Sequence, residues 1–456
     1  MDRISLIKKE YLIVLLTLSL LLLLYLTRIP PVYIDEMWHI DCGWTFVKTG
    51  RLALSAYGDT LNANIIIFQP PLFNLLLGLW FKFFGLGLFQ ARLLIVIIST
   101  LILFFTFLIG KTLYNDRIGI VSSILLFFWW FSLFRFTRYD IPVSLFFLIG
   151  FYLLLRAEGG KGKFIKYFFS GLFCGLASIT HLYGGIGAIS IFILFISKYK
   201  YKQFFKRELI LFIIGVMLPL SIYALYLYPY LDIYSKQASI FASGRFSIFS
   251  LNFYFRNIMK EIERWQYPPS IVFLFSFVLF LILYYKKRRA HSKILTVIFT
   301  FIILFSLFIS NKTFVYAAAV APFIAIASSI LWLNLWDKFS SKLSLSAQYS
   351  KAVLCAVITL IIIFRPAYLL YKVWYKYGVK ESNLNTYLQN LRKYIPTNSI
   401  VLGQYAYWIG FPDNIYYEEF MVTAMKRLYN ISFSTAVRAK KIEYIIVDET
   451  LLHYQR

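Results

Sequence analysis

The sequence is short of charge. Only 15% of its 456 residues are Asp, Glu, Lys or Arg, where a soluble chain carries about a quarter. Apolar residues make up 60% and aromatics 20%, so this composition excludes a soluble enzyme and indicates an integral membrane protein. Acids are scarcest: 21 Asp and Glu stand against 47 Lys and Arg, a formal net charge of +26. The bases do not gather into one basic domain. Many sit in short clusters between apolar runs, where positive charge orients helices relative to the cytoplasm. That accounts for the charge without nucleic acid, and no nucleic-acid partner is expected. Cysteine is limited to Cys42, Cys174 and Cys355, without metal-ligand spacing, so neither a disulfide framework nor a zinc site is indicated. A Gly-rich phosphate loop, HExxH, GxSxG and a Cys-His arrangement are all missing. Nucleotide-driven transport and hydrolase chemistry therefore have no support.

What is present is a series of apolar runs of bilayer length. They fall near 11–27, 93–110, 118–136, 141–155, 165–181, 182–197, 208–229, 270–285, 294–310, 313–335 and 352–371, which predicts a polytopic α-helical membrane protein of about 11 spans. The first run lacks a small-residue cleavage site and reads as a retained helix. Leu72–Phe84 is apolar but short and carries Lys82. If it does not cross, the clusters Lys8-Lys9, Lys198–Arg207 and Lys286–Arg289 share the side of the N-terminus, as the positive-inside tendency requires. This predicts a cytoplasmic N-terminus and a first external loop over 28–92, with Leu72–Phe84 against the outer leaflet. Residues 230–268 and the tail are then also external. Two domains are expected: a transmembrane module, 1–375, and a small external α/β domain, 376–456. In the tail, Leu384, Leu388, Leu391 and Ile395 make a helical stripe, while Ser399–Leu402 and Ile442–Val447 read as buried strands with a helix between them. Gly171-xxx-Gly175 reads as ordinary close helix packing.

The first loop is the most polar ground in the first quarter of the chain. Met37, Ile40, Trp44 and Val47 fall at helical spacing, predicting an amphipathic interfacial helix that Thr49-Gly50 ends. At its start stand Asp35 and Glu36. The plain reading of this pair is N-capping and favourable acids in a first turn. Asp140 lies in Arg135-Phe136-Thr137-Arg138-Tyr139-Asp140, a turn where a carboxylate is costly unless paired or functional; Arg135 or Arg138 can neutralise it. His181 begins a helix pair, and a lone His is commonly structural. Lys312 is a single external base whose plain role is interfacial snorkelling. Taken together, carboxylates and bases converge on one membrane face. Such a site suits an anionic, lipid-linked substrate, with cations on phosphate and a carboxylate deprotonating a hydroxyl.

The order Asp35-Glu36, Thr49-Gly50, Pro70-Pro71-Leu72, Ala91-Arg92 and Arg138-x-Asp140 resembles the GT-C membrane glycosyltransferases. The branch is that of the protein O-mannosyltransferases and lipid A aminoarabinose transferases. The similarity covers residues 10–200 well and the remainder in layout. It implies inverting transfer of a sugar from a polyprenyl-phosphate donor to a lipid, glycan or protein acceptor at the external face of the cell membrane. It further implies Asp35 as the principal catalytic carboxylate, with Asp140 as the second. Glu36 orients Asp35 or binds a divalent metal ion, the one cofactor left open. Arg92, Arg138, His181 and Lys312 fall among the bases that meet the donor phosphate. Gln69 stands where relatives often carry His or Lys, and His181 where they often carry Lys. The alternative is a transporter or flippase of lipid-linked glycans; it predicts charged residues midway along helices, and the helix centres here are Leu, Ile, Phe and Val. A non-catalytic scaffold would leave the clustered acids unexplained.

Overall fold

The computed structural model describes residues 9–28, 30–57, 64–158, 162–198, 206–242, 251–265, 268–284, 291–309, 314–342, 384–419 and 431–448, with scattered positions between 346 and 371. Apolar runs of helical length give a helical body, with one proline, Pro219, inside the helix over 207–227. It comprises α1 (Lys9–Leu23), α2 (Ile34–Thr49), α3 (Leu72–Phe84), α4 (Leu88–Leu113), α5 (Asp116–Trp130), α6 (Asp140–Ala157) and α7 (Lys163–Thr180). It continues with α8 (Gly185–Lys198), α9 (Arg207–Leu227), α10 (Leu231–Ala242), α11 (Leu251–Trp265), α12 (Pro268–Tyr284), α13 (Ser292–Phe308) and α14 (Ala321–Lys342). Ten of the expected spans coincide with helices; the run at 352–371 lies largely outside the described residues. Among the described residues three helical stretches are both long and apolar enough to cross a membrane by length and composition, Leu88–Leu113, Asp140–Ala157 and Arg207–Ala238.

α4 is the axis of the body, packing on α1, α5, α6 and α14. α7 packs on α6 and α9. Gly171 and Gly215 let α7 and α9 approach at backbone distance. A Cβ at Gly171 would stand 2.0 Å from the Phe212 carbonyl oxygen, and one at Gly215 2.2 Å from that of Phe168. The Gly171-xxx-Gly175 pair is thus intramolecular packing, as small residues at helix crossings provide.

Three features differ from the sequence reading. Residues 230–268 contain two helices, α10 and α11, that no span-length run announced. α2 has the expected length and ends at Gly50, left-handed at φ 70°, as a helix-terminating glycine does. It is not an interfacial amphipath: Glu36, His39 and Asp41 on its polar side are as buried as Met37 and Ile40. Each of those polar side chains meets a polar partner from another segment, which removes the penalty of burying it. The tail holds the expected helix, Leu384–Leu391, and a three-stranded parallel sheet of order β2-β1-β3. Its strands are β1 (Ile400–Gly403), β2 (Ile415–Glu418) and β3 (Tyr444–Ile445), with a helix at Phe433–Ala439 before β3. β2 was not foreseen.

This tail unit grips α2. Tyr405 donates to Asp41 Oδ2 at 2.8 Å, Trp408 Nε1 to Ser55 Oγ at 2.8 Å, and Lys48 Nζ to Asp413 Oδ1 at 2.8 Å. Asp41 also accepts from Thr45 Oγ1, from the Ser55 hydroxyl and amide, and from the Ala56 amide. Burial pushes its carboxyl up, and these donors pull against that shift.

Candidate active site

Glu36 is the organising residue. Its helix begins at Ile34, so Glu36 occupies the third position, where a carboxylate can reach back to the amide preceding the helix. It does so, accepting from the Tyr33 amide at 3.2 Å. Capping therefore falls to Glu36 and not to Asp35. The same carboxylate forms a fully buried ion pair with Arg92 of α4, at 3.0 Å to Nε and 2.6 Å to NH2. It also accepts the Thr137 amide at 3.0 Å. Arg92 NH1 donates to the Leu26 and Pro30 carbonyls, each at 2.8 Å. One ion pair thus ties the exit of α1, the start of α2, α4 and the turn before α6. A buried pair persists only when its remaining lone pairs and protons are satisfied, and here they are.

That tie brings Asp35 to the turn at Arg138. The Arg138 guanidinium bridges two carboxylates, meeting Asp35 through NH1 and Asp140 through Nε at 2.8 Å. Arginine suits this place because its planar fork can serve two acceptors at once. Burial pulls its pKa down, but Asp140 and Asp35 more than offset that, so the group is a permanent cation. Arg135, the other candidate partner for Asp140, instead donates to the Leu24 carbonyl. Asp140 is 1% exposed at its side chain and Asp35 47%. The line Asp35–Arg138–Asp140 therefore runs from an open carboxylate to a closed one.

Aromatic rings wall this line. Arg138 lies over Tyr33 and Tyr139, 5.9 and 5.5 Å from the ring centroids, an arrangement that favours a desolvated cation. Tyr139 stacks on His181 at 4.2 Å and donates or accepts across 3.0 Å with Tyr316. Tyr183 donates to Asp140 Oδ1 at 3.0 Å. His181 Nδ1 accepts the Tyr183 amide at 3.3 Å, so in its neutral form the ring proton sits on Nε2. His39, one turn along α2 from Asp35, meets Asn74 at 2.9 Å and sets its ring edge to Tyr139. Burial pushes its imidazole down to about 4.

Of the residues named from sequence, Asp35, Arg138, Asp140 and His181 come together. Glu36 and Arg92 are adjacent but fully buried and engaged with protein partners. Lys312 lies outside the described residues. Among the described residues no group of three His, Cys, Asp or Glu side chains could hold a metal ion. A divalent ion at Glu36 would have to displace Arg92, so the donor set does not fit one. Sequence reading missed the tyrosines at 33, 139, 183 and 316. Their signal was weak in a chain with 35 tyrosines.

The solved structures that superpose on the chain decide the fold. ArnT from Cupriavidus metallidurans in the apo state matches with a TM-score of 0.62 at 13% identity, covering 92% of this chain and 88% of its own. ArnT bound to undecaprenyl phosphate gives 0.59 at 11%, covering 98% and 88%. The archaeal oligosaccharyltransferase AglB from Archaeoglobus fulgidus, with an inhibitory peptide and a dolichol-phosphate, gives 0.53 at 11%, covering 96% and 69%. This is the GT-C fold. The family model described as dolichyl-phosphate-mannose-protein mannosyltransferase matches residues 68–227, and no curated protein matches the sequence. The matched segment includes Arg92, Arg138, Asp140 and His181, and it begins after Asp35 and Glu36.

Proposed function

We propose that the protein is a membrane glycosyltransferase. It moves a sugar from a polyprenyl-phosphate donor to a hydroxyl of a lipid, glycan or protein acceptor, with inversion. The observation that carries this reading is the half-exposed Asp35 held by a guanidinium that Asp140 anchors from behind. The GT-C fold and the family match over 68–227 support it, as does the binding of undecaprenyl phosphate by ArnT and of a dolichol-phosphate by AglB.

In this reading the acceptor oxygen bonds to the anomeric carbon on the face opposite the phosphate. The bond from that carbon to the phosphate oxygen breaks, and its electron pair leaves on the phosphate. The hydroxyl proton passes to Asp35, the general base. Arg138 fixes the Asp35 carboxylate and supplies positive charge toward the departing phosphate; His181 contributes on the same side. Asp140 holds Arg138. Glu36 and Arg92 position these groups and touch no substrate. The protein lies in the cell membrane with its N-terminus cytoplasmic, and the site and the tail domain, 376–456, face outward.

The test is turnover of a panel of labelled polyprenyl-phosphate sugars by the protein in lipid nanodiscs, with peptide, glycolipid and water as acceptors. Transfer or slow donor hydrolysis, with NMR showing an inverted anomeric centre, is the expected result. Donor binding without turnover of any donor would favour a carrier of lipid-linked glycans.

A further inference from the structure

A cleft of about 510 Å³ lies between the start of α4 and the tail. Its size falls within the range of small-molecule sites, about 300–1,000 Å³. Trp44, Phe89 and Gln90 line one wall, and Asn385, Gln389 and Arg392 the other. The cleft is apart from the candidate active site. Trp44 follows Asp35 by nine residues on α2, which places it about 13 Å along the axis and on the opposite side of the helix. The tail wall follows from helical spacing. Asn385, Gln389 and Arg392 stand one and nearly two turns apart along Leu384–Leu391 and its end, beside the apolar stripe that docks the helix. Arg392 Nε donates to the Gly410 carbonyl at 2.5 Å, which fixes the guanidinium at the cleft.

The chemistry of the lining says what it takes. Three side-chain amides face the cleft, and each offers both donors and an acceptor. Charge is balanced: Asp413 also lines the cleft and pairs with Lys48 at 2.8 Å. An anion drawn to Arg392 would meet that carboxylate, so the lining suits a neutral ligand rich in hydroxyls, which likewise donate and accept. The opposite wall is aromatic. Phe89 is 46% exposed, and Trp44 Nε1 is buried without a hydrogen-bond partner among the described residues, where an indole N–H ordinarily has one. α4 opens at Gly87 without a side-chain cap, so the first amides of the helix, which lack intrahelical partners, end here as further donors. A bound peptide would call for an open strand edge to pair its main chain; side-chain amides and a helix start stand here instead.

We propose that this cleft is a carbohydrate-binding site, separate from the transfer site, for a short run of neutral sugar rings. The apolar C–H faces of the rings lie against Phe89 and Trp44. Their hydroxyls pair with Gln90, Asn385, Gln389 and Arg392. Half of the lining belongs to the tail, so the site exists only while the tail is docked on α2 through Asp413 and Tyr405. The proposal rests on the cleft and not on the transfer reading.

The test uses the whole protein in nanodiscs and titrates it with mannotriose, maltotriose and tri-N-acetylchitotriose, read by saturation-transfer NMR. Wild type is expected to bind at least one of the three. The paired substitution Asn385→Ala with Gln389→Ala removes exposed side chains from the tail wall and should weaken that binding by about 5- to 50-fold. Phe89→Ala, on the facing wall, gives an independent reading and should weaken it as well; it still decides if the paired variant misfolds. Asp35→Asn should bind the same trisaccharide like wild type. Binding of none of the three by wild type overturns the proposal, as does wild-type affinity in the folded cleft variants. Loss of sugar binding in Asp35→Asn would place the sugar in the transfer site and also overturn it. Displacement of the trisaccharide by trialanine at equal concentration would assign the cleft to peptide and overturn the carbohydrate assignment. Turnover of polyprenyl-phosphate sugars is measured separately, so neither reading falls with the other.

Discussion

At the scale of single residues, the two adjacent acids of α2 separate into different tasks because a helix turns about 100° per residue. Asp35 points to Arg138 and stays half exposed, while Glu36 points inward to Arg92. Glu36→Gln leaves Arg92 buried beside an uncharged partner. It should destabilise the protein by about 3–5 kcal/mol, read as a fall in thermal unfolding temperature, and lower activity through misplacement of Asp35. His39 offers a pH-dependent check on stability. Its imidazole has an ordinary value of 6.5 and is pushed down to about 4 in the folded protein, so the unfolded chain binds the extra proton between those values. The stabilisation from a neutral His39 is complete above pH 6.5 and is lost as pH falls toward 4, by up to about 3 kcal/mol. Thermal unfolding across pH 4–7 should show that slope in wild type and a shallower one in His39→Gln. The acids were legible as chemistry because acids are rare here. Their division of labour was not, since adjacency in sequence does not tell which neighbour meets a buried arginine.

At the scale of elements, the body was readable wherever apolar runs had span length, and α3 matches the expected Leu72–Phe84 residue for residue. α10 and α11 escaped because neither is an apolar run of span length, although Phe255, Ile258, Met259 and Ile262 of α11 stand at helical spacing. α2 was read as a surface amphipath because three of its polar partners, Arg92, Asn74 and Tyr405, come from elements 35 to 364 residues away in sequence. Sequence spacing carries no such information. The tail's hold on α2 has a direct consequence. Tyr405→Phe removes one donor from Asp41 within a buried network and should cost about 1–3 kcal/mol, measured by thermal unfolding. The crossing of α7 and α9 is equally exacting: Gly215→Leu forces the helices apart and should abolish accumulation of folded protein in membranes, scored by size-exclusion chromatography.

At the scale of the whole molecule, composition alone specified a helical membrane protein, and the ordered motifs from Asp35 to Asp140 resembled the GT-C enzymes whose fold the chain shares. The sequence could not locate the tail, which packs beside α2 through contacts spanning most of the chain. Helix α2 is consequently clamped at both ends, by the Glu36–Arg92 pair at its start and by Asp41, Lys48 and the tail farther along. This clamping is what holds Asp35 toward Arg138, and the account stands on Asp35 as the base. The decisive measurement is single-turnover sugar transfer by Asp35→Asn beside wild type, with donor binding measured on the same samples. The account predicts wild-type donor affinity and a transfer rate lower by about 100-fold or more. Transfer at the wild-type rate by a folded Asp35→Asn protein would contradict it.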